Sequence, residues 1–482
     1  MTPGAMGAGI HAPLQHWATT RGEAVALDDG HTRLSFAALH DAVAQAAERL
    51  TRERAPASVL VDDQAPVTRQ VIAFLGIVAS GRCAALGDPD WAPATRDKVR
   101  SWLPSQPATM PPPGPDTPFY IGFTSGSSGT PKGFRRHHRS WTESFQVCLD
   151  TFGADAAACI LAPGRISHSL FLFGVLLGLW SGAGVVLQQR FSAAAALDTL
   201  GQGRTPCLVT VPSQLLMMME LAARRGLPPV QGVRLILISG APWMRERTAA
   251  LRALFPAARV VEFYGASETS FISWMDADAA VPAQVVGRPF ANVEIRIRPQ
   301  QGKADGGGPG LIFVRSPMLF MDYVGGHADA TAALHDGDWL SVRDMGHLDA
   351  AGRLCLQGRQ NRMLVTQGKN LFPEESEGVL ASCPGVAGIS VQGLSHPVRG
   401  QEIVGIVGLP AATAVPCPGA LQLANWGRAR LESYKIPKRY FVCDSWPLTA
   451  SGKTDHTRLA ALLRTHLAGT EDGAAACLRP LH

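Results

Sequence analysis

The chain reads as an α/β protein: a large N-terminal domain of α/β units, a β-rich stretch, and a small C-terminal α/β module. Three observations predict this. Apolar runs at 207–212 (CLVTVP), 234–243 (RLILISGAPW) and 260–265 (VVEFYG) alternate with helical patterns, as buried strands of a parallel sheet do. Further on the period drops to two, with Val293, Ile295 and Ile297 alternating and 311–314 (LIFV) following as a second β run. From Met363 the composition shifts to a smaller α/β module. A length of 482 residues gives room for two or more domains, with a sizeable core.

The elements follow in order. Residues 24–30 predict a short strand and a turn. Residues 33–50 predict an amphipathic helix, with Phe36, Leu39, Val43, Ala46 and Leu50 at helical spacing. Residues 71–90 predict an apolar helix, a glycine turn, a short strand and an Asp-Pro loop, a segment for packing rather than chemistry. Residues 104–118 (PSQPATMPPPGPDTP) form a proline-rich linker that cannot be helical. The run 170–188 is almost free of polar groups, but a span needs about 20 apolar residues. Interrupted by Gly174, Gly178, Gly182 and Gly184, it predicts a buried helix and strand. Residues 302–310 (GKADGGGPG) predict a flexible hairpin tip, and 469–482 a polar tail.

Composition narrows the class. Hydrophobic residues make up 46% and charged residues 17%, and the net charge of +5 carries no lysine/arginine block, which argues against a nucleic-acid stripe. The longest basic cluster, 135–139 (RRHHR), reads as flanking a polyanionic small molecule or as solvated surface. Nine scattered cysteines without a C-x-x-C pair predict reduced thiols, no structural zinc and a cytoplasmic protein. The N-terminus lacks a basic region followed by an apolar core, so no signal peptide is expected.

One stretch carries chemistry on its face. Residues 124–133 (TSGSSGTPKG) hold three glycines, three serines, two threonines and a lysine, just after the apolar run 119–123. That pattern is a strand followed by a loop whose N–H groups and hydroxyls can wrap an anion, with Lys132 adding charge. A flexible Gly/Ser turn is the plainer alternative from this stretch alone. A Walker A loop is excluded, because Lys132 is followed by Gly133, and near Lys453 the first glycine position holds Pro447.

The ten residues resemble, position for position, the phosphate-binding loop of the adenylate-forming (ANL) superfamily, and further motifs of that family follow in order over nearly the whole chain. The resemblance implies that Thr124, Ser125, Gly126, Ser127, Ser128, Gly129, Thr130 and Lys132 hold the phosphates of ATP. It places Gly240, Ala241 and Pro242 on the adenine side, with Ser239 at the substrate pocket. Residues 264–268 resemble Y-G-x-S/T-E: Tyr264 stacks on adenine beside Gly265 and Ala266, Ser267 touches the α-phosphate, and Glu268 is a catalytic residue reaching Mg²⁺. Taken alone, that stretch fits a turn with a helix-capping Ser/Glu pair better.

Residues 337–346 resemble W-x-x-T-G-D-x-G, with Arg343 in the glycine's place and Asp344 the ribose ligand. Residues 358–362 resemble G-R-x-D-D, giving Arg359 to ribose or phosphate and Asn361 to the hinge. Residues 447–453 match P-x-T-x-S-G-K, so Lys453 is the adenylation lysine. His168 falls at the position that shields the carboxylate and swings between half-reactions, although a lone histidine beside an apolar helix is more often a core residue. Ser169 stands where amino-acid-activating members carry an aspartate, which disfavours an α-amino acid substrate, and Phe173 joins the expected pocket. Gln367 replaces a glycine of the loop that slides against pantetheine, which weakens CoA as acceptor.

The implied organisation is an adenylation domain over 1–358, a hinge at 359–362, and a mobile C-terminal domain over 363–482. The implied reaction activates a small aryl or acyl carboxylic acid with Mg-ATP. The acyl group then passes to a thiol, either CoA or the phosphopantetheine of an acyl carrier protein. Two alternatives remain at this level. One is a degenerate adenylation fold serving as a ligand-binding regulator, against which Glu268, Asp344, Arg359 and Lys453 all stand intact. The other is a membrane transporter, resting only on 170–188.

Overall fold

The computed structural model describes residues 9–124, 131–299, 309–326, 328–366, 369–396, 400–409, 417–449, 454–468 and 478–482. Ser125 to Thr130, Gln367 and Lys453 of the expected site therefore lie outside the described residues, as does most of the hairpin tip at 302–310.

The apolar runs form one side of a long sheet. Val25–Asp28, Val185–Leu187, Ile160–Ala162, Cys207–Thr210, Leu235–Ile238 and Arg259–Ala266 lie side by side in parallel. Their residues are apolar on both faces because helices cover both. Leu235–Ile238, for example, is buried at every position. The period-two strands do not form a separate sheet. Ser270–Asp276, Val285–Pro289, Leu354–Arg359, Asp344–Leu348 and Gly310–Arg315 continue the same sheet in antiparallel order. A second sheet is built from Ser58–Leu60, Cys83–Ala85, Pro118–Thr124, Lys132–His137 and Asp322–Val324. The small domain has its own sheet of Gly388–His396, Gly400–Gly408, Arg439–Cys443 and Leu478–Leu481, with separate apolar clusters on its two faces.

The apolar run at 170–188 is a 12-residue helix, Ser169–Trp180, followed by the strand Val185–Leu187. Among the described residues no helix is long and apolar enough to cross a membrane, so the run gives the transporter alternative no support.

Four expectations need correction. Residues 33–35 are a strand hydrogen-bonded to Val25–Asp28, and the helix begins at Phe36, where the Ser35 hydroxyl accepts from Ala38 N–H as an N-cap. Residues 264–270 cap no helix; Arg259–Ala266 turns directly back into Ser270–Asp276. The end of the presumed polar tail is a strand: Leu478–Leu481 pairs antiparallel with Arg439–Cys443, and Leu478 is buried. The basic cluster at 135–139 is largely consumed inside the protein. Arg135 pairs with Asp322, Arg136 and His138 are buried, and Arg139 pairs with Asp116.

Candidate nucleotide and acyl site

The anion loop sits at the end of an antiparallel hairpin. Pro118–Thr124 and Lys132–His137 pair with Thr124 opposite Lys132, so the two described ends of the loop face each other. Lys132 Nζ lies 5.6 Å from the centre of the Tyr323 ring. The Tyr323 hydroxyl donates to Glu268 Oε1 at 2.7 Å, and the Glu268 carbonyl accepts from Phe320 N–H at 2.7 Å. Lysine, tyrosine and glutamate thus reach one another across three separate chain segments.

The turn that carries Glu268 is tightly built. A register shift falls between Tyr264 and Gly265, and Ser270 adopts φ 56°. A Cβ on Gly265 would lie 1.8 Å from the Ser270 carbonyl oxygen, so only glycine fits. Beneath the turn lies Arg136, which is 1% exposed. Its guanidinium donates to Ser267 O at 2.6 Å, Met318 O at 2.6 Å, Ser270 Oγ at 2.5 Å and Ser140 Oγ at 3.2 Å. Burial pushes its pKa down to about 9 while Glu268 pulls it back up, so it stays charged at neutral pH. Arg136 and Tyr323 are the parts of this site that motif reading missed. Arg136 was visible only as one member of a basic cluster, and nothing in the sequence links Tyr323 to Glu268, 55 residues away.

On the other side of the turn, Tyr264 donates to Asp344 Oδ2. Asp344 is 6% exposed, and Arg359 Nε stands 3.2 Å from its Oδ1. That Oδ1 is buried and accepts no hydrogen bond among the described residues. The Arg359 charge compensates this oxygen in part, and its free hydrogen-bonding capacity suits a ligand hydroxyl. Burial and the Asp344 charge push the Tyr264 hydroxyl well above its usual pKa, which keeps it a donor. Arg343, in the family's glycine position, takes φ 65°, the left-handed conformation that glycine adopts without strain. Its carbonyl accepts from Gln360 N–H at 2.9 Å, tying the Asp344 turn to the segment at 360–362.

The loop Ser239 to Pro242, expected on the adenine side, follows the strand Leu235–Ile238, and Gly240 takes φ 90°. His168 lines a cavity of about 370 Å³ together with Phe171, Phe191, Val211, Gln214 and Met217. Ser169 and Phe173 do not line it. The Ser169 hydroxyl lies 3.3 Å from the Tyr120 hydroxyl, and Phe173 is 6% exposed in a core of Trp141, Phe145 and Phe271. The cavity wall also bears charge. Asp88, Asp90, Arg165 and Arg190 line it, with Arg165 bridging Asp88 at 3.2 Å and Asp90 at 2.6 Å. The Asp-Pro loop, expected to serve packing alone, therefore contributes two side chains to this cavity. His138, which follows the anion loop, is structural: it is buried and accepts from Ile10 N–H at 3.1 Å.

Asn361 lies in the 3₁₀ turn Gln360–Arg362, between the strand Leu354–Arg359 and the small domain. Among the described residues, no group of three or more His, Cys, Asp or Glu side chains is placed to hold a metal. One carboxylate plus phosphate oxygens is a sufficient set for Mg²⁺, so Glu268 fits that role and no all-protein cage is needed.

The hairpin strands that flank the expected anion loop and the tyrosine–aspartate–arginine cluster share one α/β frame, the arrangement expected of an adenylate-forming enzyme. Comparison with known proteins agrees. A family model described as AMP-binding enzyme matches residues 55–324, and one described as AMP-binding enzyme C-terminal domain matches 375–453. An uncharacterised acyl–CoA ligase of Bacillus subtilis, YhfT, is 39% identical over 349 residues, covering 72% of this chain and 68% of that protein. An indoleacetate–CoA ligase of Aromatoleum aromaticum is 32% identical over 353 residues, covering 70% and 66%. Among solved structures, an o-succinylbenzoate CoA synthetase of Bacillus subtilis, in complex with ATP and magnesium ion, superposes with a TM-score of 0.78 at 23% identity, covering 93% of this chain and 98% of that one. The chain belongs to the ANL superfamily of adenylate-forming enzymes, and within it is an acid–thiol ligase.

Proposed function

We propose that the protein activates a non-amino-acid carboxylic acid with Mg-ATP as an acyl-adenylate and then transfers the acyl group to the thiol of CoA. The observation that carries this is the buried Asp344 carboxylate: Oδ2 accepts from Tyr264, while Oδ1, ion-paired with Arg359, accepts no hydrogen bond among the described residues and would be satisfied by ribose hydroxyls. The names of the relatives, an acyl–CoA ligase and an indoleacetate–CoA ligase, support CoA as acceptor. A carrier-protein pantetheine is the alternative thiol.

In the first half-reaction the carboxylate oxygen attacks the α-phosphorus of ATP and pyrophosphate leaves. Negative charge builds on the phosphoryl oxygens, so the protein's task is positioning and electrostatic stabilisation. Lys132 and the loop N–H groups hold the outer phosphates, Arg136 fixes the turn carrying Ser267 and Glu268, and Lys453 bridges carboxylate and phosphate. Mg²⁺ on Glu268 would neutralise phosphate charge. The acid occupies the cavity beside His168. Its wall presents Phe171, Phe191, Val211 and Met217 to the acyl chain, while its two carboxylates, Asp88 and Asp90, are paired with Arg165. In the second half-reaction the small domain turns about Asn361, the thiolate attacks the acyl carbon, and AMP leaves.

The test is mass spectrometry on purified protein with Mg-ATP and a panel of aryl and fatty acids, with CoA in one tube and a holo carrier protein in another. An acyl-CoA product is expected. Acyl-adenylate that accumulates beside unreacted CoA but loads the carrier protein would overturn the acceptor, and no adenylate from any acid would overturn the reading. Lys453→Ala should abolish adenylate formation while largely sparing thioester formation from supplied acyl-adenylate.

A further inference from the structure

The segment joining the two domains is held by two arginines that face opposite sides. Arg359 closes the large-domain strand Leu354–Arg359 beside Asp344. Arg362 instead binds the small-domain helix Pro373–Ala381. It donates to Glu374 Oε1 at 2.9 Å and to Glu377 at 2.6 and 3.1 Å. Glu377 is anchored within the small domain, where its Oε1 accepts from Val391 N–H at 2.8 Å. In the resemblance, Arg362 occupies an aspartate position, so this pairing belongs to this chain rather than to the motif.

Glu374 makes a second contact that Glu377 does not. Its Oε2, buried and accepting no hydrogen bond among the described residues, lies against Gly358: a Cβ there would lie 2.4 Å from that oxygen and 3.0 Å from Phe372 Cβ. Gly358, at φ 153°, is paired with Met345 in the large sheet, whereas Phe372 and Glu374 belong to the small domain. The carboxylate therefore bridges the joint, and the lack of a side chain at 358 is what admits it. The Arg359 charge across the joint adds attraction. On the two-step reading, rotation about Asn361 would separate Gly358 from Glu374, while the Arg362–Glu377 pair would travel with the small domain.

We propose that Glu374 is a positioning residue. Its contact with Gly358 holds the small domain in the orientation seen here, and so sets the balance between the two half-reactions. This rests on the two-step reading above. Burial pushes the Glu374 carboxyl above the usual carboxylate range, against the pull of Arg362, so the contact carries a desolvation cost that release refunds. A contact of that kind favours one orientation without locking it.

Glu374→Ala removes the contact from the small-domain side, and Gly358→Ala obstructs it from the large-domain side. Each should change the ratio of adenylate rate, read by pyrophosphate release, to thioester rate from supplied acyl-adenylate by about threefold or more. Both should move it the same way, and the double variant no further than the larger single. Glu375→Ala is the control: it sits on the same helix but pairs with Lys435 inside the small domain, and should leave the ratio unchanged. Dyes on cysteines placed at the exposed positions Glu220 and Leu421 report domain orientation without any substrate. Their distance should shift in Glu374→Ala and Gly358→Ala and stay put in Glu375→Ala. A Glu374→Ala protein with the wild-type ratio and the wild-type distance would overturn the proposal. If wild type activates no acid, the two-step reading fails by itself and the dye distance alone decides the role of Glu374.

Discussion

Arg136 and Arg139 stand three residues apart in one basic cluster, and replacing each with lysine should have very different consequences. Arg139 is half exposed and pairs with Asp116 at the surface. Its loss as a guanidinium should shift stability by no more than about 0.5 kcal/mol. Arg136 is fully buried and spreads its donors over four acceptors: two carbonyls and two hydroxyls on three chain segments. A lysine ammonium presents three donors from one atom, so it cannot reach Ser140 on one side and Met318 on the other together. At least two bonds are lost. With hydrogen bonds to charged groups contributing about 1.5–3 kcal/mol each, Arg136→Lys should destabilise the protein by about 3 kcal/mol or more. Because Ser267 O and Ser270 Oγ are among the acceptors, the turn carrying Glu268 should loosen as well, raising KM for ATP more than KM for the acid. Urea unfolding followed by tryptophan fluorescence, with steady-state kinetics on the same preparation, measures both. An Arg136→Lys protein within about 1 kcal/mol of wild type would refute the claim that this guanidinium braces the site.

Three further outcomes are expected. Tyr264→Phe keeps the ring but removes the donor to Asp344, and should raise KM for ATP about tenfold, equivalent to about 1.4 kcal/mol, with KM for the acid unchanged. An equal rise in both would show the hydroxyl acting on the acyl side. Arg343→Gly relieves a left-handed residue and should stabilise the protein by about 0.5–1 kcal/mol, seen as a raised melting temperature without a change in kinetics; a lowered melting temperature would mean that the Arg343 side chain contributes more than its backbone strain costs. His138 is buried neutral, its pKa pushed down to about 3 by burial first and by His11 next. The unfolded chain titrates near 6.5 and so binds more protons below that pH, which means stability is present above 6.5 and falls as pH drops toward 3. At pH 4.5 the loss from this one residue is about 2.5 kcal/mol. His138→Asn, which keeps an acceptor for Ile10 N–H, should flatten the acid limb of the stability profile by close to one proton; an unchanged slope would place the protonation elsewhere.

Much of the proposed site was legible in the sequence because its parts are local. The anion loop, the Tyr264 to Glu268 turn and the Asp344 turn each need a particular short order of glycines and polar groups, since backbone geometry and N–H presentation are decided within a few residues. Arg343 shows how far this holds: the glycine is gone, yet the backbone keeps the left-handed conformation that the turn requires. Reading by periodicity failed where local pattern and tertiary pairing disagree. Residues 33–35 look like the start of a helix but serve as a strand, and 478–481 look like a tail but complete a sheet edge. Phe173 has the character of a pocket residue and is spent in the core instead.

The sequence by itself thus determined the class of enzyme and the α/β frame and named the proposed stations of the nucleotide, because each is written in short stretches whose chemistry does not depend on distant partners. Only the tertiary structure decided which side chains complete those stations. Tyr323 reaches Glu268, Arg136 braces the turn at 267–270, Asp88 and Asp90 enter the cavity beside His168, and Glu374 meets Gly358 across the joint. Each of these contacts is brought about by sheet order and domain docking rather than by spacing. The burial that gives Arg136 its bonds, and that costs Glu374 its solvent, exists only once the chain has folded around it.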